Sequence, residues 1–202
     1  MYCSNSKCLF DKERRYWRNP SNTQNCSIFC FLRCGEFTVK QANTFDSSVH
    51  LCVSDVFFYE NCALLKLKES KTDSFRKGIF IQLHKTDNYI WPFSSLKKYF
   101  KDRTKLYTST RPIDPLFITG NCQVFDRYYF LCKAKHVLQL IGYDPNFYNG
   151  HTFSSGAATS ASKVRMEDHL MKTLGRWSSE IYCRYIKTST STIKNAQKSF
   201  MF

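Results

Sequence analysis

Long apolar runs are missing from this chain. No stretch reaches the roughly 18 residues that a membrane-spanning helix needs, and the opening "MYCSNSKCLF" has no apolar core of the kind a secretory leader carries. No membrane partner is expected, and the expected compartment is intracellular. The ten cysteines then read as reduced thiols rather than a disulfide frame. Nor do they read as a metal site. Cys26, Cys30 and Cys34 recur every four residues, on one face of a helix, but no C-x-x-C pair and no nearby histidine completes a zinc-binding set. Buried thiols are the better reading, with no metal and no cofactor. RNP, KH and zinc-knuckle patterns are also absent, which removes the common RNA-binding modules, and there are no internal repeats.

Acidic residues are scarce. Sixteen Asp and Glu face thirty Lys and Arg, a net charge of +14 spread along the chain. Solubility of a small domain needs a net charge of only about 2 to 8, so the excess points to a polyanionic partner, and nucleic acid is the natural one. With 43% hydrophobic residues, 18 Phe, 12 Tyr and 3 Trp, the chain has what a packed core requires. Its 202 residues suit one domain with flanking segments.

Residues 1–24 mix charge with Asn, Ser and Pro20 and show no apolar period, so they read as a poorly ordered lead-in. "IFCFLRC" from Ile28 predicts a buried helix stopped by Gly35. "HLCVSDVFFY", "CALLKLKES" and "IFIQLHKT" are strands, the last two near period two, joined through "KTDSFRKG" as a basic hairpin. After Pro92 the spacing becomes helical in "SSLKKYFKDR", and "RPIDPLF" forbids its continuation. A second helix is predicted in "VFDRYYFLCKAKHVLQLIG", closed by Gly142. Farther on, Gly156, Ala157, Ala158 and Ala161 allow close backbone approach. Met166, Leu170, Met171 and Leu174 make an apolar stripe on a helix ended by Gly175. A last short helix, "SSEIYCRYIK", would be capped by Ser178 or Ser179. The predicted class is α+β, mostly helical with a small three-stranded antiparallel sheet. The domain would span 25–193, leaving 194–202 as a tail.

Three separated stretches carry chemistry-bearing residues: "FLRCGEFT", "SKTDSFRKG" and "GHTFSSGAAT … LGRWSSEIYCRYI". Taken singly, each residue has an ordinary structural reading. Arg33 is a cation beside Glu36, Lys71 a solvated hairpin charge, His151 a helix cap, and Tyr185 a core residue with Tyr182 as a rival hydroxyl. Taken in order over residues 28–193, they resemble the catalytic domain of the tyrosine recombinases, the phage-integrase-like family. The branch they resemble is that of eukaryotic mobile elements of the DIRS and Crypton type, which combine a GAAT run with LGRW.

The resemblance implies the following roles. Arg33 matches the first active-site arginine, Glu36 the acidic residue supporting it, Lys71 the hairpin lysine, His151 the head of an H-x-x-R motif, and Tyr185 the nucleophile. Arg176 stands where most members have His or Trp, with Trp177 beside it. Ser154 stands where the second arginine belongs. The implied reaction is DNA strand cleavage and rejoining for recombination and integration, through a 3′-phosphotyrosyl bond that conserves the phosphodiester energy. Arginines clamp the non-bridging oxygens, Lys71 protonates the leaving 5′ oxygen, and His151 moves protons or positions the phosphate. The implied partner is duplex DNA, gripped by its phosphate backbone, with the protein as a homo-oligomer on it and nuclear in location.

Two departures lower the expected activity. Loss of one preorganised donor to a developing anion slows reactions roughly 10²- to 10³-fold, and the Ser154 hydroxyl is no substitute for a bidentate cation. Arg165 is eleven residues on, about 16 Å along a continuous helix, which leaves Arg176 as the expected partial replacement. In addition, the family places a helical clamp domain before the catalytic one, and only 32 residues precede Arg33 here. A weakened or inactive recombinase is therefore expected, the alternative being a non-enzymatic DNA-binding remnant.

Overall fold

A computed structural model of the chain describes residues 31–70, 78–86, 92–106, 109–186, 188 and 190–199. The expected lead-in, Cys26, Cys30 and Lys71 lie outside them.

The helix expected from Ile28 to Gly35 is corrected over its described part. Phe31 has a φ of 53° and Arg33 is extended at φ −75°, ψ 146°, so helix α1 spans only Cys34–Phe37 with Gly35 inside it. The reason is that Phe31 and Leu32 are buried in two different cores. A helix turns successive side chains by only about 100°, whereas the turn at Phe31 and the extended backbone after it send neighbours to opposite sides.

Strands β1 (Val56–Phe58), β2 (Cys62–Leu67) and β3 (Ile79–His84) form an antiparallel sheet in the order β1-β2-β3. Leu65 faces Val56 on one side and Ile81 on the other. The period-two pattern is the cause: Ala63, Leu65 and Leu67 are buried, and the residues between them are half-buried. Gly78, at φ 77°, begins the return strand where a Cβ would meet the Leu67 carbonyl at 3.1 Å. Residues 71–77 of the hairpin are outside the described part.

Helix α2 (Pro92–Leu106) opens on a proline, which suits a first helical turn. It buries Phe93, Leu96 and Tyr99 in the same core as the sheet and leaves Lys97, Lys98 and Lys101 exposed. The Tyr99 hydroxyl donates to the Leu116 carbonyl (2.9 Å) and accepts from the Ile118 N–H (3.2 Å), which ties the proline-rich connection down. Helix α3 (Arg127–Leu140) starts three residues after the expected Val124. Val124 pairs with Ile118, and Asp126 is the cap, its carboxylate accepting the Tyr129 N–H at 2.7 Å. Gly142 follows at φ 87°.

Helices α4 (Thr152–Lys163) and α5 (Asp168–Gly175) build the second core with Phe31, Trp177 and Tyr182. Two expectations here are corrected. Only Met171 of the apolar stripe is buried, while Leu170 and Leu174 are exposed. "SSEIYCRYIK" forms a 3₁₀ turn, Glu180–Tyr185, without a side-chain cap from Ser179. Thr190–Ser199 forms a further helix, α6, across the boundary expected at 193. Among the described residues, no helix is long and apolar enough to cross a membrane.

Candidate active site

Arg33 sits at the seam between the two cores, and one carboxylate organises it. Glu36, one turn on in α1, accepts the Arg33 backbone N–H at 2.8 Å and the Ser70 hydroxyl at 3.1 Å. It also lies 3.6 Å from the Arg33 guanidinium, which in turn donates to Ser70 at 3.4 Å. Ser70 follows β2, so the sheet, α1 and Arg33 are held together by one buried anion.

Arg176 belongs to this network rather than to an open cleft. Its Nη2 donates to Glu36 at 2.6 Å and to the Phe31 carbonyl at 3.1 Å, and its Nη1 donates to the Leu174 carbonyl at 3.2 Å. Its side chain is 7% exposed. The local sequence explains the inward turn. Arg176 is left-handed at φ 54°, ψ 43° and ends α5, and a Cβ on Gly175 would fall inside the Trp177 ring. The L-G-R-W run therefore folds the indole over the glycine and drives the guanidinium onto Glu36. Arg176, expected as a partial replacement for the missing arginine, does not line the cleft that Arg33 shares with Tyr185, and reaching a phosphate there would require breaking its pair with Glu36.

Arg33, His151, Ser154, Trp177 and Tyr185 line one small cleft of about 90 Å³, with Cys34, Gly35, Gly150 and Arg127. His151 is exposed and precedes α4, its backbone N–H held by the Asn149 side chain at 2.9 Å. Ser154 is one turn into α4. Tyr185 ends the 3₁₀ turn, and its carbonyl accepts the Ser155 hydroxyl at 2.8 Å and the Thr159 hydroxyl at 3.1 Å. The hydroxyls of "FSSGAATSAS" thus act as an anchor for the tyrosine segment, while Ala157, Ala158 and Ala161 pack beneath it.

The rival hydroxyl is separated from this cleft by its burial. Tyr182 is 1% exposed, stacked on Trp177 at 5.5 Å and 21°. Burial raises its pKa above that of an ordinary phenol, with further raising from Asp168 and Cys183. Tyr185, half-buried, lies against the same indole at 6.0 Å and 31° and lines the cleft.

Arg127 was unremarkable in the sequence, one basic residue among several in an amphipathic stretch, and no local motif marked it. A Cβ on Gly150 would stand 2.7 Å from its Nη2, so the guanidinium passes directly over the residue before His151. Cys34, on the cleft wall, has its thiol pKa raised by burial, against lowering by Thr38 and Arg127, which makes it an inert neutral surface. Lys68, three residues before Lys71, is committed elsewhere, pairing with Asp55 at 2.7 Å. Arg33 also lines a larger hollow of about 560 Å³, together with Glu36, His50, Lys68 and Ser70 among others. Among the described residues, no group of three His, Cys, Asp or Glu side chains could hold a metal ion.

No protein-family model matches the chain, and no curated protein matches its sequence. Solved structures do. A XerH site-specific recombinase bound to a palindromic difH substrate in a post-cleavage complex aligns at TM-score 0.62 and 14% identity, covering 97% of this chain and 51% of that one. XerA recombinase aligns at 0.55 and 15%, covering 99% and 65%. The Tn1549 transposon integrase, in complex with circular intermediate DNA, aligns at 0.55 and 9%, covering 98% and 64%. The fold is therefore that of tyrosine-recombinase catalytic domains, and the chain spans about half the length of the XerH structure.

Proposed function

We propose that this chain is a tyrosine-recombinase catalytic domain, of the mobile-element branch suggested by its GAAT and LGRW runs, that cleaves and rejoins duplex DNA through Tyr185. One observation carries the reading. Arg33, His151, Ser154 and Tyr185 are up to 152 positions apart in the chain, yet they line a single cleft.

In this mechanism Arg33 holds a non-bridging oxygen of the scissile phosphate, its guanidinium pre-set by Glu36 and Ser70. The Tyr185 hydroxyl gives its proton to the His151 imidazole as its oxygen attacks phosphorus. The P–Oη bond forms and the P–O5′ bond breaks. The departing 5′ oxygen takes a proton from Lys71, the motif residue that lies outside the described part of the chain. Rejoining runs the same steps backwards from a 5′-hydroxyl. Trp177 keeps one face of Tyr185 dry, and Arg176 acts at one remove by fixing Glu36.

The test is a trap for the covalent intermediate. A pool of nicked duplexes with a randomised core loses its short 5′-hydroxyl fragment on cleavage, so rejoining is blocked and the adduct survives denaturing electrophoresis. An adduct formed by the full chain and abolished in Tyr185→Phe, but retained in Tyr182→Phe, supports the reading. DNA binding without any adduct would leave a binding remnant instead. An adduct surviving Tyr185→Phe would show that the nucleophile is misassigned.

A further inference from the structure

The geometry points to Arg127 as the second guanidinium of the phosphate site, doing from the start of α3 what Ser154 does not do from α4. The chemistry of this assignment rests on the recombinase reading, although the anion site itself does not.

Four observations converge. The first is position: Arg127 lines the same cleft as Arg33, Ser154 and Tyr185, and its Nη2 occupies space that a side chain at position 150 would fill. The glycine before His151 is the opening through which the guanidinium reaches the cleft. The second is rigidity. The Arg127 N–H donates to the Val39 carbonyl at 2.9 Å, and the Val39 N–H donates to the Phe125 carbonyl at 3.2 Å. Val39 lies two residues after α1, so the backbones carrying Arg33 and Arg127 are tied to each other through a short ladder.

The third observation is charge. Arg33 and Arg176 share the Glu36 carboxylate, whereas no ion pair with Arg127 occurs among the described residues. No acidic residue lines the cleft among the described residues. A phosphodiester entering it meets two guanidinium groups with a single buried counter-charge, which lies behind Arg33. The fourth is size. A cleft of about 90 Å³ that already has Tyr185 in its wall has room for a phosphate group beside the phenol. Arg127 then clamps the non-bridging oxygens in place of the H-x-x-R arginine, and no proton need move through it.

The experiment compares the full chain with Arg127→Gln, Arg127→Lys, and Arg127→Gln combined with Ser154→Arg, in two readouts. The first is the rate of adduct formation on the randomised nicked duplexes. The second is retention of inorganic phosphate, followed by titration and independent of cleavage. Arg127→Gln is expected to slow adduct formation roughly 10²- to 10³-fold and to weaken phosphate binding by about tenfold or more. Arg127→Lys should recover part of both, and Ser154→Arg should restore at least about tenfold of the lost rate in the Gln background. If the wild-type chain forms adduct and Arg127→Gln stays within about threefold of it, the Arg127 assignment is overturned while the recombinase reading stands. If no chain forms adduct but Arg127→Gln loses phosphate, the anion site stands and the cleavage reading falls. Unchanged phosphate binding with no adduct overturns both. Arg127 is exposed, so matching circular dichroism spectra are expected for all variants.

Discussion

Removing Glu36 is the perturbation with the largest calculable consequence. Its carboxylate is 6% exposed and faces an Arg176 side chain that is 7% exposed at 2.6 Å, with Arg33 at 3.6 Å. Glu36→Ala leaves Arg176 buried without its anion and Arg33 without its counter-charge. Breaking a buried pair from one side costs about 3 to 5 kcal/mol, a large share of the roughly 5 to 15 kcal/mol by which a domain is stable. At about 2 to 4 °C per kcal/mol for a chain of this size, the midpoint of thermal unfolding should fall by about 6 to 20 °C. Arg176→Ala is the milder change, because Glu36 keeps Arg33, the Arg33 N–H and Ser70. Its expected cost is about 1 to 3 kcal/mol. Replacing both by methionine should recover part of the loss, since apolar residues of similar volume need no counter-charge. The assay is thermal and urea unfolding followed by circular dichroism. A midpoint drop below about 3 °C for Glu36→Ala, or an Arg176→Ala variant as unstable as Glu36→Ala, would refute the claim that one carboxylate organises both arginines.

Three other outcomes are expected. Gly175→Ala should destabilise the fold by about 1 to 3 kcal/mol, because the new Cβ displaces the Trp177 ring from its stack on Tyr182; the near-ultraviolet dichroism of the indole reports it, and an unchanged spectrum would count against this packing. With a charge of +14, duplex binding should weaken about 10³- to 10⁵-fold between roughly 50 and 200 mM salt if six to ten phosphates are contacted; a flat salt dependence would speak against a phosphate-backbone partner. Stability should also fall in alkali. Burial raises the Tyr182 pKa above 10.0. For Lys68, burial lowers the pKa, but hydrogen bonds to Asp55 and Cys52 and the charge of Asp55 outweigh that, for a net rise above 10.5. The folded chain thus holds both protons where the unfolded chain releases them. These contributions are complete below about pH 10 and are lost as pH rises through the folded values. Urea midpoints across that range should drop, less steeply for Tyr182→Phe; an identical slope in that variant would remove Tyr182 from the account.

Local pattern carried much of this protein. Alternation in "CALLKL" and "IFIQLH" marked two paired strands because a half-buried sheet demands period two. Pro92 and Gly142 marked helix ends because one fits the first helical turn and the other accepts a positive φ. The order of Arg33, His151, Ser154 and Tyr185 singled out residues that line one cleft, since short motifs remain recognisable even when far apart in the chain. What local pattern does not contain is direction across the tertiary seam. Arg176 and Arg127 look alike as basic residues in a helix-forming context. The left-handed turn after Gly175 aims the first at a buried Glu36, and the Val39 ladder with the bare Gly150 aims the second into the cleft. Likewise Tyr182 and Tyr185 are three residues apart, and only the placement of Trp177 decides which is buried and which faces the cleft. Periodicity records how much of each residue is hidden from water. Which cation meets a carboxylate and which faces the cleft depends on contacts between residues up to 145 positions apart, and those exist only once the two cores have closed around Arg33.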